Sequence, residues 1–307
     1  MESKIWAIGG GKGGTGKTFV TSSLGTFLAR QGKKVIIIDA DLGGANLHSF
    51  VKQKRPKYSL TDFFTNKIPL HQVIEKTQIS NLELAAGDIH SFDYKSINRG
   101  QKLRFFNHIR KLDCDYILLD LGAGSNLNVI DTFLLADNKV VVILPEVTSE
   151  ENLYQFLKKV FSRKINLILH KHRLKDENTE LQEKEKSGQI TGIVGKIEYL
   201  KSMSFEIEKK VEEELAGFKI SLILNQVRSE GQIKRGFTVR NLITEYFGIE
   251  TKYSGYIKYN ENFWRFVNQA QPLSQTAEFN PTFTEVSAIT GNILENKQLT
   301  FTNMSHG

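Results

Sequence analysis

The residues with the clearest chemistry form a glycine-rich run near the start of the chain, which ends in Gly16-Lys17-Thr18. Gly11, Gly16, Lys17 and Thr18 fill every fixed position of the pattern G-x-x-x-x-G-K-[ST]. An apolar run typical of a buried strand precedes the glycines, and apolar residues with helical spacing follow them. In this setting backbone N–H groups and the positive helix terminus bind phosphate, Lys17 reaches the β- and γ-phosphates, and Thr18 binds Mg²⁺. The run is therefore predicted to be a phosphate-binding loop, or P-loop.

The same glycines also fit a second, less specific pattern. Gly9, Gly11 and Gly14 satisfy G-x-G-x-x-G, which is typical of dinucleotide-binding turns. The dinucleotide-binding pattern does not account for the Gly-Lys-Thr sequence at the end of the run. The P-loop interpretation accounts for the whole stretch and is preferred.

Three carboxylates follow apolar runs that we interpret as strands of a parallel sheet. Asp39 and Asp41 follow the run 35–38, and Asp120 ends the run 115–120. Because the carboxyl ends of parallel strands face the ligand crevice, we expect these groups near the P-loop. The alternative for the first pair is that one of them only caps a helix. Asp120 would accept a hydrogen bond from a water bound to Mg²⁺, as at the end of a Walker B strand.

The segment Lys12-Gly13-Gly14-Thr15-Gly16-Lys17-Thr18 resembles the deviant Walker A motif of the MinD/ParA ATPases. In that family the extra lysine, here Lys12, reaches across an ATP-sandwiched homodimer to the phosphates of the partner. The resemblance further implies that Asp39 helps to hold the Mg²⁺ shell and that Asp41 positions the attacking water. Residues 121–124 resemble the second switch of the family, in which a glycine N–H senses the γ-phosphate.

Two later segments extend the resemblance. Pro145-Glu146-Val147-Thr148-Ser149 resembles the segment of the MinD/FlhG branch that lies beside the nucleotide and the dimer face. Asn225 follows another apolar run, and an asparagine there implies a contact with the adenine edge, since an amide offers one donor and one acceptor. Arg228 stands where a guanine site would need an acid, so ATP is favoured, and Arg228 is predicted to flank the base. Residues 258–260 depart from the Pro-x-Asp loop of the family.

Together these arguments predict three groups of site residues. The catalytic group is Lys12, Lys17 and Asp41. The metal ligands are Thr18, Asp39 and Asp120. The nucleotide contacts are Gly11, Lys12, Gly13, Gly14, Thr15, Gly16, Lys17, Thr18, Phe19, Glu146, Asn225 and Arg228. The cofactors implied are ATP and Mg²⁺.

Composition restricts the class of protein further. The chain has 307 residues and one cysteine, Cys114, which excludes a disulfide framework and an intrachain Cys-x-x-Cys site. There is no signal-peptide pattern and no apolar run near the roughly 20 residues of a membrane span, so a cytoplasmic location is expected. The last residues, 296–307, lack an apolar helical stripe, so no membrane association is predicted. The net charge of +7 permits weak binding to nucleic acid and is equally typical of a lysine-rich surface.

The predicted fold is a single P-loop NTPase domain over residues 1–307, with a doubly wound, mainly parallel α/β sheet. A charged helical stretch at about 163–216 is interpreted as an insertion within it. By resemblance, the predicted function is that of a Mg²⁺-dependent ATPase that forms a homodimer on ATP and hydrolyses slowly without an activating partner, as a MinD/FlhG-like positioning switch. The alternative is a ParA-like partitioning ATPase that binds non-specific DNA as the ATP dimer.

Overall fold

The computed structural model describes residues 3–41, 44–51, 53, 56–87, 97, 99–261 and 281–300. The strands in these ranges are β1 (Lys4–Gly9), β2 (Val35–Ala40), β3 (Ile74–Lys76), β4 (Leu82–Ala85), β5 (Tyr116–Leu121), β6 (Asn138–Ile143), β7 (Lys219–Val227) and β8 (Glu250–Lys258). The helices are α1 (Lys17–Arg30), α2 (Leu47–Phe50), α3 (Leu60–Thr65), α4 (Leu70–Val73), α5 (Arg99–Ile109), α6 (Leu127–Leu135), α7 (Val147–Lys171), α8 (Lys175–Lys186), α9 (Gly192–Met203), α10 (Phe205–Leu215), α11 (Glu230–Phe247) and α12 (Pro281–Leu294).

The eight strands form one sheet in the order β3-β4-β2-β5-β1-β6-β7-β8. Every neighbouring pair is parallel except β3–β4, which is antiparallel. Strand β1 lies at the centre, and its side chains alternate between two apolar layers: Ile5 and Ala7 pack on one face, Trp6 and Ile8 on the other. Helices cover both faces, which is why the central strands are almost continuously apolar. The predicted doubly wound, mainly parallel α/β fold is confirmed.

Helix α7 is longer than the sequence pattern suggested. With Thr148 or Ser149 as the N-cap, the sequence predicts a helix from Glu150 to Phe161, whereas α7 runs from Val147 to Lys171. Its buried stripe continues through Ile165, Ile168 and Leu169, so the helix keeps packing on the core beyond the charged residues. The stretch interpreted as an insertion therefore begins inside α7, and its remainder forms α8, α9 and α10. Its status as an insertion stays a prediction.

Some sequence predictions lie outside the described residues. These are a helix at 263–267 and the final part of the C-terminal segment, residues 301–307. Within the described part of the chain, every helix is too short or too polar to cross a lipid bilayer.

An ion-pair cluster joins α10 to α7. The carboxylate of Glu214 lies 2.9 Å from Lys164 Nζ and also accepts a hydrogen bond from Lys171. Burial raises the pKa of Glu214, but the bonds from Lys171 and Lys164 outweigh it and bring the pKa down to about 2. The charged form of this carboxylate is therefore favoured in the folded state.

We expect Glu214→Gln to destabilise the protein by about 1–2 kcal/mol at pH 7, because one buried pair is lost while Lys171 remains hydrated. A carboxyl group with a lowered folded-state pKa stabilises the fold above its unfolded pKa of roughly 4.3, and the stabilisation is lost as pH falls towards 2. Urea unfolding at pH 7 and pH 3 should therefore show a mutational difference that shrinks in acid. The exposed neighbour Glu213 is the control, and Glu213→Gln should change neither curve.

Candidate functional site

The P-loop connects β1 to α1 at the carboxyl end of the sheet. The N-cap of α1 is Gly16, and no side chain among the described residues caps this helix end. Its first N–H groups therefore face the loop, where an anion could accept their hydrogen bonds. Gly16 has a φ of +89°, and an added Cβ there would lie 2.1 Å from Nδ2 of Asn225. Only glycine fits this position of the loop.

The two lysines of the loop occupy different places. Lys17 is buried, and its Nζ donates to the backbone oxygen of Lys12 at 2.9 Å. Burial lowers the pKa of Lys17, and the charges of Asp120 and Asp41 oppose this effect. The Lys12 side chain is 32% exposed, and its Nζ contacts Glu146 Oε2 at 3.4 Å and Thr148 Oγ1 at 3.0 Å. Lys17 thus points into the loop, whereas Lys12 is held at its outer side, against the start of α7.

Asp39 and Asp120 face each other across neighbouring strands. They are register partners in β2 and β5, and both are at most 1% exposed. The Asp39 carboxylate accepts hydrogen bonds from the N–H groups of Leu47 at 2.9 Å and Asp41 at 3.2 Å. Burial raises the pKa of Asp39, and the charge of Asp120 raises it further. Two carboxylates enclosed in this way are strongly stabilised by a cation beside them.

Burial also raises the pKa of Asp120, and the Thr18 hydroxyl, Lys17 and Thr21 oppose that rise. The Thr18 hydroxyl is therefore hydrogen-bonded to the same carboxylate, next to the P-loop. The described residues contain no group of three acidic, histidine or cysteine side chains that could form a cage from protein alone. Mg²⁺ in nucleotide sites is bound through one or two carboxylates, and phosphate oxygens, waters and other hard oxygen donors complete its shell. The hard oxygen donors Thr18, Asp39 and Asp120 fit Mg²⁺ on these terms.

A cavity of about 310 Å³ lies above the loop. Among the predicted site residues, eight line it: Gly13, Gly14, Gly16, Lys17, Thr18, Phe19, Asp41 and Asn225. The other seven do not line it: Gly11, Lys12, Thr15, Asp39, Asp120, Glu146 and Arg228. The sequence argument did not single out four further lining residues: Asn46, a few positions after Asp41; Gln226, next to Asn225; and Phe50 and Thr282, which belong to segments with no recognisable motif.

The side chain of Asn225 holds the P-loop by a hydrogen bond to its backbone. Its Nδ2 donates to the backbone oxygen of Thr15 at 2.9 Å, and its Oδ1 accepts from the N–H of Gln226 at 2.9 Å. The side chain is buried, yet it also reaches the cavity wall. The predicted contact between Asn225 and adenine stays a prediction beside this supporting role.

Arg228, which we predicted to lie beside the adenine base, contacts the ring of Tyr259. The guanidinium carbon of Arg228 lies 3.5 Å from the centre of the Tyr259 ring. Tyr259 lines the cavity in the segment that departs from the Pro-x-Asp loop. The stacked pair offers a flat surface beside the cavity, although Arg228 itself is not part of the wall.

The second predicted switch is joined directly to the P-loop. The N–H of Gly124 donates to the backbone oxygen of Gly11 at 2.6 Å. In addition, a Cβ on Gly122 would lie 2.8 Å from Oδ1 of Asp41. The segment after β5 therefore lies against both the P-loop and the segment after β2.

The parallel sheet, the P-loop and the acids at the strand ends define a P-loop nucleoside triphosphatase. A family model described as an AAA domain (AAA_31) matches residues 3–194, and the chain belongs to this family of MinD/ParA-type P-loop ATPases.

Three known proteins illustrate the relationship. The septum site-determining protein MinD of Helicobacter pylori is 35% identical over 147 residues, which are 47% of this chain and 54% of that protein. MinD of Pyrococcus horikoshii, solved in complex with Mg-ADP, superposes with a TM-score of 0.63 at 20% identity, covering 95% of this chain and 96% of the other. A plasmid partition protein from Borrelia burgdorferi gives a TM-score of 0.61 at 15% identity, covering 96% and 100%.

The chain spans about half the length of the curated relatives it matches. The two superposed structures are 20% and 15% identical to this chain, so the superpositions establish the fold alone. Nucleotide and Mg²⁺ binding and ATP hydrolysis are properties of the family to which the chain belongs.

Proposed function

We propose that this protein is a Mg²⁺-dependent ATPase that forms a face-to-face homodimer on ATP and separates after hydrolysis, as a MinD-like positioning switch. The observation that carries the proposal is the placement of Lys12. Its ammonium group lies outside its own phosphate loop, partly exposed and held by Glu146 and Thr148. A cation in this position is available to the phosphates of a second protomer that faces the loop.

The residues around the cavity divide the chemistry between them. Lys17 and the loop N–H groups neutralise charge on the transferring phosphoryl group, and Lys12 of the facing protomer adds a second cation. Asp41, which lines the cavity, orients the attacking water. Bound Mg²⁺ supplies further charge neutralisation at the phosphate oxygens, and Thr18, Asp39 and Asp120 would hold it. Glu146 keeps Lys12 in place until a partner arrives, so we expect slow turnover in the monomer.

A ParA-like role is the second candidate. The net charge of +7 favours it, because a basic dimer would bind DNA without sequence preference. The similarity in sequence to a septum site-determining protein favours the MinD-like role. Both roles use the same ATP-dependent dimer, so they differ in the surface on which the dimer docks.

The dimer is tested by size-exclusion chromatography with multi-angle light scattering, with ATP and Mg²⁺ present. We expect Asp41→Ala to accumulate as a dimer, because water is no longer positioned and ATP persists. Lys12→Ala should remain monomeric and still bind nucleotide, since Lys17 is intact. The control is Lys33→Ala, an exposed lysine beyond α1, which should behave as the wild type. If Lys12→Ala dimerised and turned over ATP normally, the proposed switch would be wrong.

The trapped Asp41→Ala dimer also separates the two candidates. It should be sedimented with non-specific duplex DNA and, in parallel, with anionic liposomes. DNA binding by the dimer that weakens steeply with salt would establish the ParA-like role. A dimer that does not bind DNA retains the MinD-like role, and the liposome arm then reports whether a membrane is its docking surface.

A further inference from the structure

A second cavity lies at the opposite edge of the sheet from the nucleotide site. Its volume is about 520 Å³, and it opens at the amino-terminal ends of β1, β6, β7 and β8. Ligands of doubly wound folds bind at the carboxyl ends of the strands, so this cavity belongs to no part of the ATPase chemistry. We call it the basic cleft, after the charged side chains that line it: Lys4, Arg110, Asp137, Lys139, Lys219 and Lys252.

Positive charge exceeds negative charge in the basic cleft. Glu250 is shared between Lys219, at 3.2 Å, and Lys252, at 3.0 Å. Asp137 lies 4.0 Å from Arg110 and also accepts the N–H of Ile5. Five cationic side chains therefore meet two carboxylates, and a concave wall of protein concentrates the resulting positive potential.

Lys4 adds to this excess. It is exposed at the first position of β1, and its Nζ makes no hydrogen bond or ion pair with the described residues. Lys4 is therefore available to an anion that enters the cleft.

Lys139 is the unusual member of the cluster. It is only 5% exposed, and its Nζ donates to the backbone oxygen of Ala136 at 2.6 Å and lies 4.8 Å from the centre of the Phe218 ring. Burial lowers the pKa of Lys139 to about 8, with Asp137 opposing the effect, so the ammonium form still predominates at neutral pH. Two of its three N–H groups have no acceptor among the described residues. These two N–H groups of the ammonium can therefore donate hydrogen bonds to an anion in the cleft.

We propose that the basic cleft binds a small molecule that carries phosphate groups. The excess of cations requires a ligand with more than one negative charge, and lysine and arginine donors are suited to phosphate oxygens. The volume is that of a small-molecule site. A small ligand is favoured over a nucleic acid backbone, because one of the cations of the cleft, Lys139, is only 5% exposed.

The test is isothermal titration of the full chain with 2,3-bisphosphoglycerate at low ionic strength, with the nucleotide site filled by saturating Mg-ADP. We expect one site per chain. Lys139→Met and the exposed variant Lys4→Gln should each weaken binding about tenfold, the effect of losing one charged hydrogen bond. Glu250→Gln should tighten it, because Lys219 and Lys252 lose the carboxylate that offsets their charge, whereas a purely structural role of this cluster would not produce a gain. Lys234→Gln, at an exposed lysine near the start of α11 and at the carboxyl edge of the sheet, is the matched control.

Three results would overturn the proposal. The first is the absence of binding in the wild type. The second is binding that disappears in Lys17→Ala but persists in Lys139→Met and Lys4→Gln, since the P-loop would then be the site. The third is full competition by duplex DNA with loss of DNA binding in Lys4→Gln, which would make the cleft part of a nucleic-acid surface. ATP turnover in Lys4→Gln should equal that of the wild type, so this test is independent of the proposed switch.

Discussion

Lys17→Ala is expected to lower the rate of ATP hydrolysis by at least about 100-fold, the usual scale for removing a group that stabilises transition-state charge. The Lys17 ammonium is buried inside the P-loop and is bonded to the backbone of Lys12, so it is already placed to meet the phosphates. Its removal also leaves Asp120 and Asp41 without their nearest cation. Steady-state phosphate release under saturating Mg-ATP measures the effect.

Circular dichroism should accompany this assay, because a folded but inactive protein is the expected outcome. Lys33→Ala is the matched control, since that lysine lies just beyond the other end of α1 and is exposed. Turnover of the Lys17→Ala protein within threefold of the wild type would contradict the assignment of this lysine.

Gly16→Ala is expected to abolish nucleotide binding, with an affinity loss of about 100-fold or more. The new Cβ would lie 2.1 Å from Nδ2 of Asn225, so the amide must leave and its bond to Thr15 must break. Gly14→Ala is the control within the same loop: its φ of +77° is also strained for alanine, but no described atom lies within 4 Å of the added Cβ. That variant should show only the backbone strain, about 1–2 kcal/mol.

Fluorescent-nucleotide titration and thermal unfolding of the two glycine variants give the comparison. The double variant Gly16→Ala with Asn225→Ala removes the collision and should recover part of the melting temperature, while affinity stays low because the support of the loop is gone. Equal effects of Gly14→Ala and Gly16→Ala would show that the Asn225 contact is unimportant.

The P-loop and its acids were predictable because their signals are local. The glycine spacing specifies the loop, and Asp39 and Asp120 stand at the ends of apolar runs whose parallel pairing brings them to one edge. The support by Asn225 was not predictable in the same way. The side-chain amide of Asn225 bonds to the backbone of Thr15, which is 210 residues earlier in the sequence. Nothing in the sequence around Asn225 indicates that the amide faces Thr15.

Two other features of the structure were not predictable from the sequence pattern. The first is the length of α7, where a change to charged residues near position 163 suggested an insertion, although the buried stripe continues through Ile165 and Leu169. The second is the basic cleft, whose cations come from distant elements of the chain. In the sequence they contribute only to a net charge of +7, which is compatible with many surfaces. The pairing of β1, β6, β7 and β8 brings the four lysines together.

The bond between Asn225 and Thr15 also has a consequence for the order of events during synthesis. The entire glycine run leaves the ribosome early, but the amide that holds it belongs to β7, which is made after more than two thirds of the chain. β7 joins the sheet only by pairing with β6 and β8. A nascent chain that stops before this strand therefore contains every residue of the P-loop motif without its support. We therefore expect the chain to bind nucleotide only late in translation, after β7 has joined the sheet and Asn225 has reached Thr15.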